Sequence, residues 1–213
     1  YYLAETEVTQ SQYQNIMGEN PSGFSDCGDT CPAENMSFHQ ALELTNRMSD
    51  EVGLQRCYTC EGVGESLRCS IEINPYSCTG FRLLTEAEWE NAARCGTDLL
   101  FAGSNRGRDV GWYSRNSDFH THPVKGLQPN GCGFYDLTGN VHEWTQDWWG
   151  DYPDEATNPI GVQSSVYRVS KGGSWWGAGK HARVAHRHRS EELVPKDHVG
   201  MRVGRTALGA IEW

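Results

Sequence analysis

The chain has no run of roughly eighteen apolar residues, so nothing in it reads as a membrane-spanning helix. It has no basic excess. Its 18 Lys and Arg stand against 28 Asp and Glu, for a formal net charge of −10. Binding a phosphate backbone needs a basic footprint, so nucleic acid is set aside as a partner. There is no G-x-S-x-G elbow, no P-loop and no H-E-x-x-H, which removes the common signatures of hydrolytic and nucleotide-binding enzymes. No cysteine follows Cys132, and no acidic residue lies between Ala156 and Ser190. No secretory leader is visible, and the abrupt start at Tyr1 in a strand-like segment suggests removal of an upstream part.

What is present is an even set of eight cysteines in local clusters: Cys27 and Cys31, Cys57 and Cys60, Cys69 and Cys78, then Cys95 and Cys132. In a loop-rich chain with 24 glycines and eight tryptophans, that pattern predicts disulfides and an extracytoplasmic, oxidising setting. The expected pairing is Cys27 with Cys31, the four cysteines between 57 and 78 among themselves, and Cys95 with Cys132. The rival is a zinc site on the same four cysteines. It is disfavoured because Cys69 and Cys78 are too widely spaced to form a second short knuckle.

Three helices are predicted. The first follows Thr9, with Gln12 completing a capping box and Gly18 as the stop. The second runs about 37–52 behind Ser37 and Gln40. The third opens at Thr85 with Glu88. Arg82-Leu83-Leu84 reads as a short buried strand, and residues 54–80 as a Cys-rich insertion. Beyond residue 96, short aromatic segments alternate with turn residues. One α+β domain over 1–213 is the resulting expectation. The tryptophans 144, 148 and 149 are expected to support a sheet, with strand alternation placing Trp144 and Trp148 on the other side from Trp149 and a carbohydrate-stacking platform as the alternative, and Lys171 to Trp176 to form a strand packed closely at its glycines.

The acid-free stretch holds Arg168, Lys171, Lys180, Arg183, Arg187 and Arg189, with His181, His186 and His188. It reads either as a basic face balanced by acidic loops or as an anion-attracting ligand site.

Several ordered motifs carry a resemblance. They are Glu7-Val8-Thr9-Gln10 with Tyr13, Phe81 to Glu90 with Ala92-Ala93-Arg94, and Pro129-Asn130 followed by Gly133 to Trp144. Lys171-Gly172-Gly173-Ser174-Trp175, then Arg183, Ala185 and Arg187, and finally Gly200-Met201-Arg202 complete the set. Together they resemble the sulfatase-modifying factors, which include the formylglycine-generating enzymes. The resemblance implies a disulfide-rich variant of the C-type lectin fold, with a twisted antiparallel sheet and two or three helices. It also implies that a further N-terminal strand of the family precedes Tyr1. It casts Arg183 and Arg187 as core-bracing arginines and His122 as structural.

The same resemblance implies calcium on one turn, held by the side chains of Asp136 and Glu143 and the carbonyls of Gly139 and Val141. Carboxylates and turn carbonyls suit a hard cation. Asn116 and Ser117 are candidates for a second calcium site. The family's copper-dependent oxidation uses two cysteines, which fall at or near Gly177 and near Ala182 here. Soft thiolates are the ligands that copper(I) prefers, and this region has none. No copper and no catalytic residue are therefore expected, and the chain reads as a pseudoenzyme of bacterial, secreted type. The expected role is a binding or scaffold module, with Trp176, Lys180, His181, His186, His188 and Arg189 as its ligand surface for a protein or an anionic glycan. Two alternatives stay open: a histidine-bound metal, with His186 and His188 two apart on one strand side, or a degenerate factor that binds sulfatase-like peptides. Oligomeric state is not legible.

Overall fold

A computed structural model describes residues 1–152 and 156–207. The capping predictions correspond to real helix starts. Helix α1 (Gln10–Met17) begins at Thr9 with a complete capping box and ends at Gly18 in the left-handed region. Helix α2 (Phe38–Glu51) begins at Ser37, and α3 (Glu86–Arg94) at Thr85, each with its reciprocal N3 glutamine or glutamate. A side chain that satisfies an orphan amide at each start fixes where the helix begins. The apolar stripes then turn Tyr13, Phe38, Leu42 and Trp89 into the interior.

The sheet is split into three rather than continuous. Strands β1 (Tyr2–Leu3), β4 (Phe81–Leu83) and β9 (Val203–Arg205) form one, in the order β1-β9-β4. Strands β2 (Thr59–Glu61) and β3 (Arg68–Ser70) form a hairpin in the Cys-rich segment. The third sheet is β7-β6-β5-β8, built from β5 (His142–Trp148), β6 (Arg168–Lys171), β7 (His188–Ser190) and β8 (Val199–Gly200). Its β5–β8 pair is parallel, the one departure from the expected antiparallel arrangement.

All eight cysteines are disulfide-bonded: 27–31, 57–78, 60–69 and 95–132. The local pairs and the closed set of four match the expectation, and the zinc alternative falls because no thiolate is left in that set. No helix among the described residues is long and apolar enough to cross a membrane.

Two expectations about the last third are corrected. Lys171 to Trp176 is not one strand. Gly172 and Gly173 both have positive φ and turn the chain out of β6, because a Cβ on Gly173 would lie 2.6 Å from Ala182 Cα. The three tryptophans do not alternate simply either. A register shift between Trp144 and Trp148 leaves Trp144 buried and Trp148 and Trp149 half-buried.

Candidate functional site

The glycine turn sends residues 174–187 across one end of the β5–β6–β7 sheet. Trp175 is fixed there. Its amide donates to the Asn140 carbonyl at 2.7 Å, its indole donates to the Asp197 carbonyl at 3.0 Å, and its ring meets Phe24 edge-on. The next residue, Trp176, is 63% exposed. One tryptophan therefore anchors the segment and its neighbour is presented. A 3-10 turn over Gly179–Ala182 follows, and Val184 is tied to Leu100 by a backbone bond before the chain enters β7.

Of the six residues expected on a ligand surface, four lie in two sets of ring contacts. His181 stacks on His186 at 4.9 Å, and His188 on His142 at 4.5 Å. His142 also meets His198 edge-on, and Trp176 tilts over His198 at 6.0 Å. Lys180 lies on the same excursion, and Arg189, in β7, covers Trp149 with its guanidinium 4.7 Å from the ring centre. Burial is the main cause that pushes His186 and His188 down to about 4, with neighbouring imidazoles adding to it. His142, fully buried, is lowered further in the same direction. These rings are neutral near pH 7 and present aromatic edges rather than charge.

The paired chelate of His186 and His188 does not form, because β7 begins only at His188 and each ring turns to a different imidazole. Among the described residues, no three His, Cys, Asp or Glu gather as a metal site. His142 and His198 were missed in the sequence, and Trp149 was expected there only as a support for the sheet. Their partners come from other strands and turns, and no local spacing marks them.

The two family arginines separate. Arg187 is half-buried and paired to Glu86 at 2.7 Å, as a bracing residue should be. Arg183 is exposed, and its Nε donates only to the Lys180 carbonyl. Among the described residues, Lys180, Arg183 and Arg189 have no carboxylate within ion-pair distance.

The acidic turn behaves differently from the calcium expectation. Glu143 is fully buried and accepts from Arg202 Nε and Nη2 and from Trp89 Nε1, at 2.7 to 3.1 Å. A carboxylate offers about four lone-pair directions, and these donors use them. Asp136 Oδ2 accepts the Lys125 amide, and buried Glu7 accepts from Asn140 and from the Val141 amide. Glu7 is raised well above the usual carboxylate range by burial, then by Asp136 and Glu143. The cation this cluster holds is the guanidinium of Arg202. The carboxylate donor set does not fit a calcium ion in this arrangement. Gly139 shapes the turn itself, with φ of 78° and no room for a Cβ against the Trp112 carbonyl.

The residues proposed for a second cation are also committed. Asn116 caps the Tyr113 amide and donates to the Gly111 carbonyl. The Ser117 hydroxyl donates to the Trp175 carbonyl and accepts the Phe119 amide. His122 is structural, stacked on Trp112 at 4.0 Å.

Comparison with known proteins adds the lineage. The Sulfatase-modifying factor enzyme 1-like domain pattern matches residues 1–207. "Chaperone protein LppX" of Paenibacillus barcinonensis is 30% identical over 97% of this chain and 80% of its own length. Formylglycine-generating enzyme of Mus musculus is 38% identical over 53% of this chain, and the match spans 34% of that enzyme. Among solved structures, Treponema denticola variable protein 1 superposes with a TM-score of 0.86 at 33% identity, covering 96% of this chain and 84% of that one. CarF superposes with a TM-score of 0.74 at 25% identity, covering 97% and 86%.

Proposed function

Because the chain belongs to the sulfatase-modifying factor enzyme 1-like domain family, we propose that it keeps the scaffold of that family as a binding module outside the cytoplasm. Its binding surface is the Trp176–His198 face. The observation that carries the reading is the state of the cysteines. All eight are locked in disulfides, and the region of Gly177 and Ala182 contributes no sulfur. A copper(I) thiolate centre has no ligands there.

What supports a binding role is the combination of a rigid base and a presented surface. Trp175 and the glycine turn hold the segment in place, while Trp176 and three cations without ion-pair partners among the described residues stand outward. Variable side chains on a fixed core are a common arrangement for recognition. The names of two relatives, a chaperone protein and a variable protein, fit a role other than oxidation. Four disulfides support an oxidising, extracytoplasmic setting. Calcium plays no part in this reading, since Arg202 and Trp89 already satisfy Glu143.

The test is an oxidation assay beside a binding screen. Purified chain is incubated with a cysteine-containing sulfatase peptide, copper and oxygen, and the peptide is read by mass spectrometry. No aldehyde product is expected, whereas acidic ligands should be retained on the immobilised chain and lost on Trp176→Ala with His198→Ala. Peptide aldehyde formed in proportion to the chain added would overturn the reading.

A further inference from the structure

Next to the histidine stacks lies a cleft of about 480 Å3, walled by Leu99 and Leu100 on one side and Val184, Ala185 and His186 on the other. The Val184 amide, bonded to the Leu100 carbonyl at 3.0 Å, ties the two walls together. Trp149 also lines it, held by a backbone bond to Tyr167, and two guanidiniums sit over its ring, Arg187 at 4.6 Å and Arg189 at 4.7 Å.

Among the described residues, the charges around this cleft do not balance. Arg94 is offset by Glu90, and Arg187 by Glu86 and the Gly150 carbonyl. Asp98 is the remaining acidic residue of the lining. Against it stand Arg183 in the lining, Arg189 beside it, and Lys180, whose carbonyl accepts from Arg183. This surplus occurs on a chain whose net charge is −10.

We propose that the cleft seats the carboxylates of an acidic, partly apolar peptide segment of a partner protein, held by Arg183 and Arg189 with its apolar side chains against Leu99 and Leu100. The proposal rests on the binding-module reading and names the ligand chemistry within it. A guanidinium lying on an aromatic ring keeps its N–H edge free, and that edge matches a carboxylate in a two-point contact. A sugar ring would need an open aromatic face to stack on, and the Trp149 ring already carries two guanidiniums. Leu100, 52% exposed, offers the apolar ledge that a peptide side chain fills and a glycan does not.

The probe is a fluorescein-labelled peptide of alternating Glu and Leu, read by fluorescence anisotropy at low and at high salt. The controls are its Lys-Leu counterpart and an unlabelled sulfated oligosaccharide as competitor. The acidic peptide should bind and the basic one should not, and affinity should fall as salt rises. Arg183→Gln and Arg189→Gln should each weaken binding about tenfold, as expected for loss of one charge-assisted contact. Arg68→Gln, on the Cys-rich hairpin, should leave it unchanged. Both tested arginines are exposed, so their variants should melt like the parent.

If both arginine variants bind the peptide as well as the parent does, the cleft assignment is wrong. If that happens while Trp176→Ala abolishes binding, the wider face survives as the binding surface without the cleft. Tighter capture of the sulfated oligosaccharide through the same two arginines would replace the peptide by a glycan. Aldehyde formation in the separate oxidation assay would instead overturn the binding-module reading itself.

Discussion

Residues 27–132 and residues 133–207 are held together by different means. The first region contains all four disulfides, and its Cys57–Cys78 and Cys60–Cys69 bridges brace a short hairpin. The second contains none and is tied, within itself and to helix α3 of the first, by charged side chains taken out of water, as Arg82 and Glu88 are within the first. Arg202 meets Glu143, Lys171 meets Glu90 at 3.1 Å, Arg168 meets Glu192 and Arg187 meets Glu86, the last two at 2.7 Å. Covalent staples suit a segment with too little apolar surface to order itself. Ion pairs suit a segment wound between elements that already share a core, because they fix register where turns are irregular. The proposed binding face draws on both, with its cations and histidines from the second region and the Leu99–Leu100 wall of its cleft from the first.

The largest expected effect comes from breaking the charged tie. Arg202→Met leaves Glu143 buried with Trp89 as its remaining side-chain donor, and should cost about 3–5 kcal/mol in a urea melt. Adding Glu143→Gln should return part of that loss. A cost below about 1 kcal/mol would mean that the second region is held by its core alone.

Next comes the covalent tie. Replacing Cys57 and Cys78 by Ser opens a loop closed across a separation of 21 residues and should cost about 2–4 kcal/mol. The shorter Cys27–Cys31 bridge, with a separation of 4, should cost less. Equal losses would undercut the view that the hairpin depends on its staples.

Acidity acts in opposite senses on different buried groups. His142, His186 and His188 have folded pKa values below their ordinary one, so the unfolded chain takes up protons first. Their contribution to stability is lost as pH falls from about 6.5 towards about 4. Asp147, raised to about 7 by burial and by Glu86, and Glu34, raised to about 7 by burial and by Asp197, act in the opposite sense. Their contribution is complete below about pH 4 and is lost as pH rises through about 7. The two trends oppose each other between these limits. Asp147→Asn should therefore raise stability at pH 8 by about 1–3 kcal/mol and steepen the fall on acidification, while His188→Gln should flatten it. Unchanged slopes in both variants would show that the titrating groups lie elsewhere.

The smallest expected effect is chelation. With Glu143 saturated by Arg202 and Trp89, EDTA should move the melting temperature by less than about 1 °C. A drop of several degrees, restored by calcium, would mean that the Asp136–Glu143 turn takes a cation after all and that the ion pair gives way to it.

The helices were readable because each start carries its own cap within four residues: Thr9 with Gln12, Ser37 with Gln40, Thr85 with Glu88. The Cys-rich hairpin was readable because its cysteines cluster. The site was readable only as composition. His186 and His188 looked like neighbours on one strand, yet each stacks on a ring from elsewhere. Arg183 and Arg187 looked alike, and one is braced by Glu86 while the other stands in solvent. The turn from Asp136 to Glu143 has the residue types of a calcium loop, but Arg202, 59 residues further on, reaches Glu143 first.

By itself the amino-acid order determined the three capped helices, the closed local cysteine sets and the absence of cysteine beyond residue 132, because each depends on residues near one another or on mere presence. Only the tertiary structure decided which carboxylate meets which guanidinium, which imidazoles stack and which tryptophan is presented. Those outcomes depend on the β5–β6–β7 sheet bringing distant residues within a few ångströms, and on the two glycines after Lys171 turning the chain across its end.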